Sequence, residues 1–406
     1  MKCSENDFLS LIKIFQKRFE LDSPFIWRIM RKIYIVFDQI PRKEDGGLVA
    51  TYVNFVNEFR DEYHITFISI FKSSETNIEE FRNIPVITII DKTINNRFYK
   101  LFSYIKEKKL RAFFQALGSA ILFFGSIPYV RSKTKKLFYK ENIVIAPAPA
   151  SAIFISGGTK FILEIHTNYE YFWGNNIIGR LQVALMAKPA ITVFRNSADA
   201  RKGRQKNRST YIYNCFDASF LKQTNLQIER KHSAIFVGRL VESKQPFKLL
   251  DFSEQMKRKI PDFTLDIYGE GPLGEQLKEQ IVNRGLQSTV FMKGFTTDKS
   301  VYGKYAVAWL TSSFEGFGLV IIEAMANSVP TVSTEWGEAV WEIIENEKTG
   351  VVAKTDEAFI EASVRLLEDT EYRNQLAVNA RKDYEKRFSP EKHKASWEKL
   401  FQKLYK

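Results

Sequence analysis

Short apolar runs recur along this chain, and between them the apolar residues fall at helical spacing. The runs occupy residues 34–37, 65–71, 86–90, 142–146, 160–166, 191–194 and 210–213, then 233–237, 264–268, 290–292, 307–310 and 331–332. Brief apolar runs bounded by turn residues predict buried strands. Helical patterns cover residues 7–31, 48 to about 63, a stretch from Phe247, residues 357–368, 370–388 and 390 to the end. Strand alternating with helix predicts parallel sheets with crossover helices, an α/β architecture. At 406 residues the chain exceeds one ordinary core, so two domains are expected.

One segment departs from this rhythm. Residues 112–130 carry no charge, while Lys106-Glu-Lys-Lys-Leu-Arg111 and Arg131-Ser-Lys-Thr-Lys-Lys136 bracket them. The length approaches that of a membrane span. A span would, however, put strands of one sheet on opposite sides of a bilayer. Two readings stay open: a buried crossover helix, or a helix in the membrane interface with basic flanks on anionic lipid. Gly118, Gly125 and Pro128 predict a break in it.

Composition narrows the partners. A hydrophobic content of 45% and a charged content of 26% describe a globular chain. The net charge of +13 favours an anionic partner: a phosphorylated substrate, an acidic membrane surface or nucleic acid. Cys3 and Cys215 offer neither metal spacing nor a disulfide framework, and the first residues have no signal-peptide core. Cytoplasmic localisation is therefore expected, with peripheral contact at the inner face of the membrane. Four scattered histidines predict no metal site.

The densest chemistry lies at Ser313-Phe-Glu-Gly-Phe-Gly-Leu-Val-Ile-Ile-Glu-Ala-Met-Ala-Asn-Ser-Val-Pro330. Gly316 and Gly318 allow positive φ and close approach of a ligand to backbone N–H groups. A helix from Leu319 would aim its positive end at an anion. Glu315 sits at the loop tip, and Glu323 lies roughly 7.5 Å along the helix. Upstream, a strand runs into Gly238 and Arg239, with Lys244 just beyond, a plausible phosphate clamp. Gly269-Glu-Gly-Pro-Leu-Gly274 reads G-x-G-x-x-G, but Pro272 interrupts the loop and the next strand ends in Lys293-Gly294, where a ribose-binding acid should stand. Gly269, Glu270, Gly271 and Pro272 are thus expected to form a tight turn lining a nucleotide pocket. In the first half, Gly46-Gly47 follows a strand at the edge where open α/β sheets bind ligands, and His166 points into the same crevice. The basic run 201–208 reads as a solvated loop that could touch lipid or acceptor.

Gly238-Arg239…Lys244, Tyr268-Gly-Glu-Gly-Pro272, Gly294-Phe295 and Glu315-Gly-Phe-Gly-Leu…Glu323-Ala…Pro330 resemble, in order and spacing, the retaining GT-B glycosyltransferases of family 4 with their E-x7-E motif. The likeness covers nearly all of the second half. It is looser in the first, at Gly46-Gly47, His166 and Asn214-Cys-Phe-Asp217. The resemblance implies two Rossmann-like doubly wound domains facing across a cleft, residues 1–215 for the acceptor and 216–388 for the donor. A last helix, 389–406, would cross back to the first domain. It further implies that Arg239 and Lys244 hold the donor diphosphate, and that Glu315 with Gly316, Phe317, Gly318 and Leu319 holds the sugar and its phosphate. Glu323 would bind ribose hydroxyls, and the Gly269 turn would lie near the base. His166 would contact the sugar, and Gly46 and Gly47 the phosphates or acceptor.

The implied reaction moves a hexosyl or N-acetylhexosaminyl group from a UDP-sugar to a glycan, lipid-linked or protein acceptor with retention, in cell-surface polysaccharide, capsule or teichoic acid synthesis. No cofactor and no metal are expected, because cationic side chains would do the work of Mg²⁺. A partner glycosyltransferase is conceivable, and the alternative is a catalytically silent acceptor-binding subunit. A nucleic-acid binder would explain the charge but not the glutamates, so no nucleic-acid partner is expected. The chain departs from the family after Thr331, where Glu335-Trp-Gly-Glu-Ala-Val-Trp341 replaces small residues.

Overall fold

Isoleucine, valine and phenylalanine runs too short for helices form two parallel sheets. The computed structural model describes residues 32–42, 46–73, 78–94, 104, 109–174, 177–204, 208–219 and 232–405. The expected leader helices at 7–31, residues 106–108 of the first basic bracket and residues 205–207 of the basic run lie outside the described residues.

The first sheet comprises β1 (Lys32–Phe37), β2 (His64–Phe71), β3 (Val86–Ile90), β4 (Ile143–Ala146), β5 (Ile162–Glu164), β6 (Ile191–Phe194) and β7 (Ser209–Tyr211). Its spatial order is β3-β2-β1-β4-β5-β6-β7, parallel throughout. The second comprises β8 (Ser233–Val237), β9 (Thr264–Tyr268), β10 (Val290–Gly294), β11 (Val307–Leu310), β12 (Thr331–Thr334) and β13 (Gly350–Ala353). Its order, β10-β9-β8-β11-β12-β13, repeats that of the first, and it too is parallel. Both orders reverse beside their first strand, at β1/β4 and at β8/β11. There successive crossovers leave to opposite faces and open a crevice at the carboxyl edge.

The helices of the first half are α1 (Gly47–Phe59), α2 (Leu110–Gly125), α3 (Ile127–Leu137), α4 (Pro149–Ala152), α5 (Tyr169–Trp173), α6 (Ile177–Leu185) and α7 (Ser197–Arg204). The second half adds α8 (Pro246–Lys259), α9 (Gly274–Asn283), α10 (Leu319–Ala326), α11 (Glu338–Ile343), α12 (Asp356–Glu368), α13 (Thr370–Arg387) and α14 (Pro390–Tyr405). Strand alternation decides what each covers. Ile33, Ile35 and Phe37 pack with α1 and with Trp397 and Phe401 of α14, while Tyr34 and Val36 face Phe123, Val130 and Phe154. The last helix thus belongs to the first sheet's core. Lys394 pairs with Glu62 at 2.5 Å and Lys160 donates to the Leu404 carbonyl, which fastens it there.

The uncharged segment is a bent pair: α2 and α3 meet at 45° around Ser126, next to Pro128, and among the described residues no single helix is long and apolar enough to cross a membrane. The basic run is partly a helix. Arg201, Lys202 and Arg204 form the last turn of α7, where cations complement the helix dipole, so the solvated-loop expectation is corrected there.

Candidate functional site

Because β8 and β11 are neighbours at the reversal, the loops that follow them meet. The β8 loop closes in a short turn, Glu242–Lys244. Gln245 then takes a left-handed conformation (φ 48°) and Pro246 starts α8. Thr311 Oγ1 donates to the Lys244 carbonyl at 2.8 Å, and the Ser313 N–H donates to the Ser243 carbonyl at 2.9 Å. Lys244 Nζ thereby forms an ion pair with Glu315 Oε1, which also accepts from Ser312 Oγ at 2.7 Å. Arg239 is exposed in the same loop, and its guanidinium makes no hydrogen bond or ion pair among the described residues.

The β8 loop lies on the turn after β9. Gly238 N–H donates to the Tyr268 carbonyl at 3.0 Å and Leu240 N–H to the Glu270 carbonyl at 2.9 Å. A Cβ on Gly269 would strike the Gly238 carbonyl, and one on Gly271 the Leu240 carbonyl. Glycine is required by this close approach. Glu270, Gly271 and Pro272 remain exposed beside it.

Gly318, at φ +83°, is the N-cap of α10 and offers no side-chain cap; its carbonyl takes the Ile321 N–H at 2.9 Å, which leaves the Leu319 and Val320 N–H groups at the helix start. Gly316 does not use the positive φ open to it; its role is spatial, because a Cβ there would land on the His166 carbonyl of the other domain. Gly47 is likewise about one van der Waals contact from Leu319, at 3.3 Å from its would-be Cβ. The glycine loops at the two reversals therefore face each other across the cleft. Phe317 turns its ring into the core against Tyr213 and Phe388, so only its backbone is available to a ligand. Further along α10, Glu323 is buried, accepting from Tyr302 Oη at 3.0 Å and pairing with Lys299 Nζ at 3.1 Å. Burial and the charge of Glu323 push the Tyr302 hydroxyl well above its ordinary pKa, so it stays a donor. Lys299 and Tyr302 carried no motif in the sequence.

In the first domain, His166 follows β5 and is held from behind. Arg195 Nη2 approaches its Nε2 at 3.3 Å, and Arg195 and Tyr52 both bond the buried carboxylate of Glu164. A guanidinium can only donate, so Nε2 accepts and the ring proton sits on Nδ1. Burial, then the Arg195 charge, lowers the pKa of His166, which keeps the imidazole neutral. Burial alone would raise Glu164; the Arg195 charge and the hydrogen bond from Tyr52 outweigh it and hold the carboxyl at about 2. The sequence signal was available: a glutamate inside an apolar strand needs a buried cation.

The domains also touch through α11. Glu342 accepts from the Ser197 N–H at 2.9 Å, from Ser197 Oγ at 2.8 Å and from Tyr213 Oη at 2.5 Å. A carboxylate of one domain thus sits at the N-terminus of α7 in the other. Lys202 reaches Glu338 at 3.1 Å beside it. In the variant 335–341 segment, Trp336 packs beside Gly318 and Trp341 Nε1 donates to Glu335 at 2.8 Å.

Glu58, Cys215 and His393 bring three ligand-type atoms within 4.8 Å of one another. They do not fit a metal. Trp397 Nε1 donates to His393 Nε2 at 3.1 Å, which places the ring proton on Nδ1, aimed at Glu58 at 2.6 Å. Cys215 Sγ donates to the same carboxylate at 3.1 Å, and burial with the Glu58 charge keeps the thiol protonated. The cluster is a hydrogen-bonded clasp between α1, the domain crossing and α14.

Residues 217–383 match the family model for glycosyl transferases group 1. The chain is similar to a poly(glycerol-phosphate) alpha-glucosyltransferase of Bacillus subtilis, 30% identical over 165 residues, 39% of this chain and 24% of that protein. It is also similar to the GalNAc-alpha-(1->4)-GalNAc-alpha-(1->3)-diNAcBac-PP-undecaprenol alpha-1,4-N-acetyl-D-galactosaminyltransferase of Campylobacter jejuni, 22% identical over 318 residues, 74% of this chain and 86% of that one. The chain spans about a quarter of the Bacillus relative, and about half (49%) of an uncharacterised archaeal glycosyltransferase. Among solved structures, Anabaena HepE in complex with UDP and glucose superposes with a TM-score of 0.68 at 20% identity, over 92% of this chain and 99% of that one. That likeness is one of fold, and the fold is GT-B.

Proposed function

We propose that this chain, whose second domain belongs to the glycosyl transferases of group 1, moves a hexosyl or N-acetylhexosaminyl group from a UDP-sugar to a glycan, lipid-linked or protein acceptor with retention. Cell-surface polysaccharide or teichoic acid synthesis is the setting we favour, since the Bacillus relative is named for a poly(glycerol-phosphate) acceptor and the Campylobacter relative for an undecaprenol-linked one. The observation that carries the reading is the Lys244–Glu315 pair beside the uncapped N-terminus of α10, with His166 facing them across the cleft.

In this reading the diphosphate draws Lys244 from Glu315 and meets Arg239 and the first N–H groups of α10. These groups stabilise charge as the bond from the anomeric carbon to the diphosphate oxygen breaks and that oxygen keeps the electron pair. The acceptor oxygen bonds to the carbon and its proton leaves toward the departing diphosphate. Glu315, released from Lys244, accepts from sugar hydroxyls. Glu323, held by Tyr302 and Lys299, accepts from ribose hydroxyls. His166 Nδ1–H donates to the sugar, and the Gly269 turn lies by the base. Glu323 is not free to attack carbon, since it stays engaged by Lys299 and Tyr302. The cationic groups take the place of a metal, so activity should survive EDTA. The test is a panel of nucleotide-sugars with release of nucleoside diphosphate as readout. Release from a UDP-sugar, lost in Lys244→Ala, supports the reading; a wild type that binds no nucleotide-sugar sinks it.

A further inference from the structure

Helices α2, α3 and α6 turn large apolar side chains to solvent. Of the sixteen residues of α2 only Ala116 and Phe123 are buried, whereas Leu110, Phe114 and Ile121 are 67%, 65% and 65% exposed. Their spacing of four and seven puts them on one stripe. Tyr129 of α3 continues it, and α6 adds Ile177, 79% exposed, and Leu181 one turn on. The helices are joined where Arg131 of α3 donates to the carbonyl of Leu185, the last residue of α6, at 2.5 Å. Single exposed apolar residues are ordinary, but a continuous group of this kind marks an interaction surface.

Its rim says what it meets. Residues 109–140 contain seven lysines and arginines and neither aspartate nor glutamate. Lys109, Arg111, Lys133, Lys135 and Lys136 are all exposed. An apolar stripe edged by these cations is complementary to a surface with an apolar interior and anionic headgroups. A second copy fits poorly, because face-to-face pairing would press two cationic rims together. Spanning would put β3 and β4, which belong to one sheet, on opposite sides of the bilayer. We infer that the α2–α3–α6 face docks on an anionic lipid bilayer, with Leu110, Phe114, Ile121 and Ile177 at the acyl boundary and Lys133, Lys135 and Lys136 on phosphates. This face shares its core with α5, which directly follows His166. Docking therefore holds the acceptor side of the cleft close to the membrane.

The proposal stands apart from the transferase reading, and its test does not depend on it. The full chain is sedimented with vesicles of phosphatidylcholine alone, or with about 30% phosphatidylglycerol, at low and high salt. Binding is expected only to the anionic vesicles, falling roughly tenfold as salt rises. Phe114→Glu/Ile121→Glu and Lys133→Glu/Lys135→Glu each alter exposed positions, so they should fold and lose roughly tenfold or more in vesicle binding, with nucleotide-sugar turnover and Tm unchanged. Three results would overturn the proposal: wild type left in the supernatant with anionic vesicles at low salt, variants that bind like wild type, or a wild-type dimer that Phe114→Glu/Ile121→Glu makes monomeric.

Discussion

The two domains repeat one strand order, yet they assemble their charged groups in different ways. In the second domain, Lys244, Glu315 and Glu323 come from two loops and a helix after the neighbouring strands β8 and β11, and each remains near the crevice. In the first, His166 reaches the crevice. Behind it Glu164 of β5, Arg195 after β6 and Tyr52 of α1 form a buried polar cluster drawn from distant parts of the chain. In the proposed transferase the second domain thus keeps Lys244 and Glu315 available for exchange with a ligand, while Glu323 is buried and already paired. The facing half spends buried charge on fixing one neutral imidazole. Mobile cations suit a phosphate that comes and goes, whereas a sugar-facing donor benefits from a fixed direction.

The sharpest way to break this contrast is to remove the buried cation. Arg195→Met should destabilise the fold by about 3–5 kcal/mol, since it strands the Glu164 carboxylate in the core. Adding Glu164→Gln should recover much of that in urea unfolding, and an unchanged midpoint in the single variant would mean the cluster is not structural. Next, Lys244→Ala should lower kcat/KM for the donor by about 10²–10³ with the folded circular dichroism spectrum retained. Equal loss of stability would erase the distinction between the halves. Gly316→Ala, which presses a methyl group on the His166 carbonyl, should cost roughly tenfold to a hundredfold in kcat/KM through imperfect closure, with Tm nearly unchanged.

The smallest effect is in acid. His166 has a depressed pKa in the fold, so stability falls as pH drops below about 6.5, where the unfolded imidazole gains its proton first. Glu164 is also depressed, and its contribution, complete above about 4.5, is lost as pH falls toward about 2. Melting curves should show both declines, and His166→Asn should remove only the first.

Much of the second domain's crevice edge was legible in the residues because its motifs are local. Strand, glycine turn and helix start follow within a few positions at Gly238–Lys244 and Glu315–Glu323, and backbone geometry alone brings such groups to one edge. That Gly316 makes room for another domain's carbonyl was not legible, since nothing local reveals that the His166 carbonyl lies against it. Arg201 and Lys202 looked like a solvated loop for the same reason: their partner, Glu338, is more than a hundred residues away. Glu342 at the N-terminus of α7, and Tyr302 with Lys299 on Glu323, carried no spacing that could announce them.

The sequence by itself determined the alternation of strand and helix and the loops that would carry phosphate-binding groups, because each follows from periodicity and turn chemistry within short windows; the two doubly wound domains came from the family resemblance. Only the tertiary structure decided that Lys244 and Glu315 hold each other, that Gly47 and Gly316 oppose Leu319 and His166, and that α2 faces outward with its apolar stripe uncovered. Those outcomes depend on which strands become neighbours and how closely two domains approach. Such distances are set by packing across hundreds of residues, beyond the reach of any local pattern.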